Sequence, residues 1–277
     1  MKARFFLAGL VLALASGSIA ATSAGSGQPG PGLFLPAGAK SAWVLAPGKA
    51  LAVSARFDVD PLGGVWVLPV PHALIRADGL GLVLEKEARD LAFGSGGLCL
   101  STDLVAGPLR LHEGDKSRSG WIERKLLLPS SAWRLAKGGS DGVVAFGWDA
   151  ESSQSVLYRV KDRHKVLAWP DRILAAEGSD SAWSLATPGG AFRVTRQGSA
   201  TAWGQLPGGI SSLTWLEGAG LVVAGPDGAA LMTAPGKLKP LILAKSPRVR
   251  AHGGALYVLL PEQGGVLKIT GLGADAP

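Results

Sequence analysis

Charged and polar side chains stand at the start of short apolar runs at five places along the chain. These positions hold Arg56, Asp90, Arg134, Ser212 and Arg248. Guanidinium groups bind carboxylates and phosphates through paired hydrogen bonds. If the five runs fold alike around one axis, the three arginines and the aspartate predict a site for a small anion, with Ser212 beside them.

This predicted anion site depends on strand register. Neighbouring side chains of a strand point to opposite faces, so a shift of one residue would turn all five side chains away from the shared space. A sixth run places Ile173 at the equivalent position. The alternative interpretation is that the register is wrong and these residues have structural or surface roles.

No catalytic or metal-binding motif of high specificity appears in the sequence. His72, His112, His164 and His252 are far apart and lack the spacing of zinc ligands. Gly94-Ser95-Gly96 and Gly25-Ser26-Gly27 lack the Gly-x-Ser-x-Gly frame of a hydrolase nucleophile, and their turn-rich, all-β context does not suit a nucleophile elbow. We therefore predict no catalytic residue, no metal site and no cofactor, and we favour a protein that is not an enzyme while leaving catalysis open.

The apolar runs belong to a repeated phrase of a short strand, a turn and a second apolar strand. The second strand begins near residues 65, 98, 143, 182, 221 and 256, at intervals of 33 to 45 residues. Several short strands at this spacing are typical of propeller blades. We predict an all-β fold, a β-propeller of about six blades of three to four antiparallel strands, over residues 32–277. Seven blades remain open if Leu33 to Ser54 forms most of a blade.

The two ends of the chain could complete one blade together. After Leu256 only one further strand-like run follows, Val266 to Ile269, so the last blade lacks outer strands. The early runs Trp43 to Leu45 and Ala50 to Val53 could supply them. Strands from both termini would then close the ring and remove exposed sheet edges.

This pattern resembles the broad group of bacterial exported β-propellers with degenerate repeats, over about residues 31 to 277. The resemblance implies the fold and no particular activity. Six-bladed calcium-dependent hydrolases and lactonases are the enzymes of this shape to consider. Their metal is held by Glu, Asp and Asn oxygens, and this chain contains no Asn.

The N-terminus has the layout of a secretory signal peptide. Lys2 and Arg4 precede an apolar stretch and then small residues up to Ala20. We predict a signal peptide over residues 1–20, a flexible Ser/Gly/Pro-rich leader over 21–31, and no transmembrane segment after cleavage. The lone Cys99 lies in an apolar run, which predicts a buried thiol. The predicted location is a bacterial periplasm or the exterior.

The charge distribution argues against a nucleic-acid partner. The formal charge falls from +7 to +5 when Lys2 and Arg4 are removed, and the remaining basic residues are scattered. Nucleic-acid binding usually needs a clustered basic stripe. We therefore predict no nucleic-acid partner.

A charged loop offers a second candidate surface. Residues 113–121 fall in the widest interval of the repeat and include Lys116, Arg118 and Trp121. Exposed Trp and Arg side chains are typical of binding hot spots. One hypothesis is thus a non-catalytic interaction scaffold for another exported or envelope protein. The alternative is a small-anion binding protein, or a hydrolase, lactonase or lyase, with its site at the channel mouth. Glycan binding by exposed tryptophans also stays open.

Overall fold

The computed structural model describes residues 31–84, 87–94, 97–101, 109–114, 121–126 and 131–273. The predicted signal peptide and nearly all of the predicted leader lie outside these residues. Among the described residues, no helix is both long and apolar enough to cross a membrane.

Short strands between tight turns fill the described chain, as the frequent glycines and the runs of Val, Leu and Trp predict. Two strands come first: β1 (Gly32–Leu33) and β2 (Lys40–Leu45). Blade I contains β3 (Arg56–Val59), β4 (Val65–Val70), β5 (Ala73–Arg76) and β6 (Gly81–Val83). Blade II contains β7 (Asp90–Gly94), β8 (Gly97–Ser101), β9 (Leu109–Gly114) and β10 (Trp121–Leu126).

The later sheets repeat this meander. Blade III contains β11 (Ser131–Lys137), β12 (Val143–Asp149), β13 (Gln154–Arg159) and β14 (Lys165–Trp169), with a 3-10 turn at Gly139–Asp141. Blade IV contains β15 (Ala175–Gly178), β16 (Ala182–Thr187), β17 (Gly190–Thr195) and β18 (Ala200–Gly204). Blade V contains β19 (Ser212–Leu216), β20 (Gly220–Ala224), β21 (Gly228–Ala234) and β22 (Lys237–Leu243). Blade VI contains β23 (Arg248–His252), β24 (Ala255–Leu260) and β25 (Gly265–Thr270).

The two N-terminal strands join two different blades. β2 pairs antiparallel with β25, so Ser41 lies opposite Ile269 and the N-terminal part of the chain completes blade VI. β1 pairs with β22 and adds a fifth strand to blade V. The segment from Leu33 to Ser54 therefore forms no sheet of its own, which removes the basis for a seventh blade.

The sheets form a ring around a central channel. The first strand of each blade contacts the first strand of the next, from β3 through β7, β11, β15 and β19 to β23, and β23 contacts β3 again. Apolar layers fill the spaces between adjacent blades. Cys99 lies in the layer between blades II and III and is 3% exposed. The predicted all-β propeller is confirmed, and the second strands begin within one residue of the predicted positions.

Side chains of the innermost strands tie neighbouring blades together. Each of these strands is the channel-side edge of its sheet, so some of its backbone N–H groups have no partner strand. Four of those groups donate instead to a side chain of the preceding blade at 2.7 to 3.1 Å. The donor and acceptor pairs are Phe93 with Asp58, Leu135 with Asp90, Val249 with Ser212, and Ala251 with Thr214.

Removing one of these acceptors should destabilise the ring. Ser212→Ala leaves the buried N–H of Val249 without an acceptor, and an unsatisfied buried donor costs about 1–3 kcal/mol. The neighbouring Ser211, whose hydroxyl donates to the Ala224 carbonyl within its own blade, supplies the control Ser211→Ala. Chemical denaturation should show a larger loss for Ser212→Ala; equal losses would contradict a role in joining the blades.

The N-terminal strands should also differ in importance. A variant that begins at Pro47 lacks β1 and β2, which exposes the edge of β25 and the buried Leu267 and Ile269. A variant that begins at Ala37 lacks only β1. In thermal denaturation, we expect a large fall in melting temperature for the first variant and a small one for the second. An unchanged melting temperature for the first variant would show that β2 does not close the ring.

Candidate functional site

The beginnings of the innermost strands meet at one end of the channel. All five residues singled out from the sequence, Arg56, Asp90, Arg134, Ser212 and Arg248, line one cavity there, together with Arg250. The register that the sequence argument depended on is therefore the register of the fold. The free volume of about 20 Å³ is room for about one water-sized group. The cavity thus suits a small ion or the head of a larger anion.

Backbone carbonyls hold the three arginines at the cavity. Arg56 Nη1 donates to the carbonyl of Ser54 at 2.8 Å, and Arg248 Nη1 donates to the carbonyl of Ser211 at 2.9 Å. Arg134 Nη1 donates to the Leu174 carbonyl of the next blade. Arg248 Nη2 also donates to the Val53 carbonyl at 3.3 Å, so each guanidinium is anchored through part of its five N–H donors.

Positive charge is in excess around this cavity. The nearest acidic partner that the structure gives these arginines is Asp90, whose Oδ1 lies 3.9 Å from Arg56 Nε. The Nε atoms of Arg56 and Arg248 are shielded from solvent and have no hydrogen-bond acceptor. A buried donor without an acceptor costs free energy. Both N–H groups would therefore be stabilised by a bound anion that accepts their hydrogen bonds.

Burial and mutual repulsion make the arginine side chains harder to keep charged. Burial lowers the pKa of Arg248 to about 9, and repulsion from Arg56, Arg134 and Arg250 contributes to that shift. Burial also lowers the pKa of Arg56, with Asp90 partly opposing the change. A bound anion would offset this repulsion and raise both pKa values.

Asp90 and Ser212 line the cavity but already use their polar atoms within the fold. Asp90 accepts the N–H of Leu91 through Oδ1 and that of Leu135 through Oδ2, both at 3.0 Å. The hydroxyl of Ser212 lies 3.1 Å from the Val249 nitrogen and 3.3 Å from its carbonyl oxygen. Their ligand-binding role remains a prediction, and the arginines have the greater capacity to bind.

Ile173 is not a channel residue. The innermost strand of blade IV begins at Ala175, two residues later than the sequence suggested. Ile173 lies before that strand, where its N–H donates to the hydroxyl of Ser155 and its side chain packs in the apolar layer between blades III and IV. Blade IV therefore presents Ala175 and Ala176 to the cavity, and no charge.

A second polar layer lies deeper in the channel, and the sequence pattern did not predict it. It contains Asp58, Lys137, Glu177, Thr214 and Arg250. Three of these residues stand two positions after Arg56, Ser212 and Arg248, on the same face of their strands. Because every second residue of a strand lies on the same face, counting two positions on from Arg56, Ser212 and Arg248 would have identified these three residues.

Asp58 is the centre of this deeper layer. Its side chain is 0% exposed, and Oδ1 lies 3.0 Å from Lys137 Nζ and 3.6 Å from Arg250 Nε. Its other oxygen accepts the N–H of Phe93 at 2.7 Å. Asp58 thus holds three innermost strands besides its own.

Only the edges of the candidate interaction loop lie within the described residues. Lys116 and Arg118 fall outside them, and Trp121 is the first residue of β10, paired with Gly114. β7 begins at the arginine cavity and neighbouring strands of blade II run in opposite directions, so Gly114 and Trp121 lie at the opposite end of the blade. Trp121 is therefore not part of the arginine cavity.

No group of three or more His, Cys, Asp and Glu side chains within the described ranges is placed to hold a metal ion.

Comparison with known proteins gives a likeness in fold. No family model matches the chain, and no curated protein matches it. Among solved structures, XC5397 from Xanthomonas campestris, a gluconolactonase, is 10% identical with a TM-score of 0.62, over 87% of this chain and 94% of that chain. The PQQ domain of a pyranose dehydrogenase from Coprinopsis cinerea, in its holo form, is 10% identical with a TM-score of 0.59, over 88% and 98%. The WD40 repeats of RRP9 are 11% identical with a TM-score of 0.53, over 87% and 99%. At these identities the likeness shows the fold alone, and that fold is the β-propeller.

Proposed function

We propose that this protein binds a small oxyanion, a carboxylate or a phosphate, in the arginine cavity at the mouth of its channel. The observation that carries the proposal is the convergence of Arg56, Arg134 and Arg248, with two buried Nε atoms that lack acceptors. Guanidinium groups suit planar and tetrahedral oxyanions because their donors form a fixed fork. An anion in the cavity would satisfy these donors and balance their charge.

The anchoring of the arginines supports a preformed site. Backbone carbonyls hold Arg56 and Arg248, and Arg134 also lies 5.9 Å from the centre of the Phe146 ring. Side chains that are fixed before binding lose little entropy when a ligand arrives. The arginine side chains would therefore need little reordering when an anion binds.

Several parts of this proposal rest on the sequence alone. The N-terminal pattern of residues 1–20 supports a location in the periplasm or outside the cell, so the relevant anions are those met there. A scaffold function through Lys116, Arg118 and Trp121 remains the second candidate. Its support is the position of Trp121, at the end of blade II away from the anion cavity.

Titration calorimetry with sulfate, phosphate and acetate tests the anion site. The mature protein should bind at least one of them saturably, and the double variant Arg134→Ala, Arg248→Ala should lose at least about thirtyfold in affinity, since removing a partner from a buried charge pair costs about 2–5 kcal/mol. Arg172→Ala removes a charge from an exposed residue and is the matched control.

The control should bind as the unmodified protein does. Circular dichroism should show that the double variant keeps its β structure. A folded double variant with undiminished affinity would contradict the proposed site.

A further inference from the structure

Glu177 lies on the innermost strand of blade IV, among the residues of the deeper polar layer. Its carboxyl group interacts with Arg250, Lys137, Asp58 and the hydroxyl of Thr214, which come from four other innermost strands. The negative charge of Glu177 also acts on Arg193 of β17. Glu177 Oε2 is shielded from solvent and has no hydrogen-bond partner.

The cations near Glu177 are engaged elsewhere. Lys137 Nζ lies 3.0 Å from Asp58 Oδ1 and 2.8 Å from the Val59 carbonyl. Arg250 Nε lies 3.6 Å from the same Asp58 oxygen, and its Nη1 donates to the Val249 carbonyl. Glu177 is therefore left with the Thr214 hydroxyl and one unpaired oxygen, an environment that suits a neutral carboxylic acid better than a carboxylate.

Electrostatics agree with this geometry. Burial raises the pKa of Glu177, and the negative charge of Asp58 adds to the effect, while Arg250, Thr214 and Lys137 oppose it. A carboxyl group with a raised pKa stays protonated at pH values where an ordinary glutamate is ionised.

We propose that Glu177 is a protonation switch for the anion site, acting through Arg250, so that the anion binds together with a proton. This inference rests on the proposed function. Arg250 is the link because it lines the arginine cavity and also interacts with Glu177. The positive charge of Arg250 lowers the pKa of both Arg56 and Arg248.

The sign of the coupling follows from charge. With Glu177 neutral, the full positive potential of the arginines is available to the anion. When Glu177 ionises, its negative charge attracts Arg250 and opposes the incoming anion. Anion affinity is therefore highest below the pKa of Glu177 and falls as pH rises through it. By linkage, a bound anion raises that pKa further and the protein takes up a proton on binding.

His252 is the other group whose titration must be separated from this switch. Burial lowers its pKa, and Lys137 lowers it further, while Asp58 and Asp60 oppose the change. Protonation of His252 at acidic pH would add positive charge, which has the same sign as neutralising Glu177. A variant at each position distinguishes the two.

Sulfate is the suitable probe because its charge is constant over the range from about pH 5 to about pH 8 in which histidines and shifted carboxyl groups titrate. The unmodified protein should bind sulfate on the order of tenfold more weakly at the upper end, the size expected for one unit charge in a partly buried site. Glu177→Gln, an isosteric neutral side chain, should bind tightly across the range. His252→Gln should keep the dependence of the unmodified protein.

Calorimetry in buffers of different ionisation enthalpy measures the proton directly. We expect proton uptake with sulfate for the unmodified protein and for His252→Gln, and none for Glu177→Gln. If Glu177→Gln takes up the same proton and keeps the same pH dependence, the switch is not Glu177. Sulfate binding without proton uptake or pH dependence would overturn this inference alone, whereas no anion binding at any pH would overturn the proposed function.

Discussion

The innermost strand of every blade has one edge that no strand pairs, and the rest of the ring depends on how that edge is satisfied. Unpaired backbone N–H groups in a narrow channel are too buried to rely on bulk water. Asp58, Asp90, Ser212 and Thr214 solve the problem by accepting N–H groups of the next blade. The same hydrogen bonds set the relative height of neighbouring blades and so decide which side chains share a level in the channel.

This solution divides the polar residues of the channel into two groups. Each of the four acceptors has an oxygen committed to a neighbouring strand, which contributes to stability. Arg56 and Arg248 at the mouth and Glu177 below them each retain a buried polar atom without a hydrogen-bond partner. Four guanidinium groups near one another weaken the fold through repulsion and desolvation, and the proposed ligand would offset that cost.

The repeat pattern of the sequence predicted where the cavity residues lie along the channel, but it did not predict the structural role of each residue. The turn and strand rhythm located the second strands within one residue, and this placed Arg56, Arg134 and Arg248 at the cavity. The prediction was wrong for blade IV, where Ile173 belongs to an apolar run that packs between blades III and IV before β15 begins. Structural roles such as that of Asp90 depend on an N–H group 45 residues away. That contact follows from the height of the next blade, which local sequence does not encode. The pairing of β1 with blade V is equally non-local.

The separation of the two ends of the ring bears on how the candidate functions relate. Innermost strands start at the arginine cavity and neighbouring strands run in opposite directions, so Trp121 at the start of β10 lies at the far end. A partner that contacted Trp121 would leave the anion cavity open, and an anion at the mouth would not compete with that partner for the same surface. The connection between the ends is the channel itself, where Arg250, Asp58, Lys137 and Glu177 join all six innermost strands to each other by charge or hydrogen bonds. A change in the charge of Glu177 would thus act on the strands that frame the mouth. If both proposed functions hold, an anion and a protein could bind at the same time, and coupling between them would have to pass through the deeper polar layer.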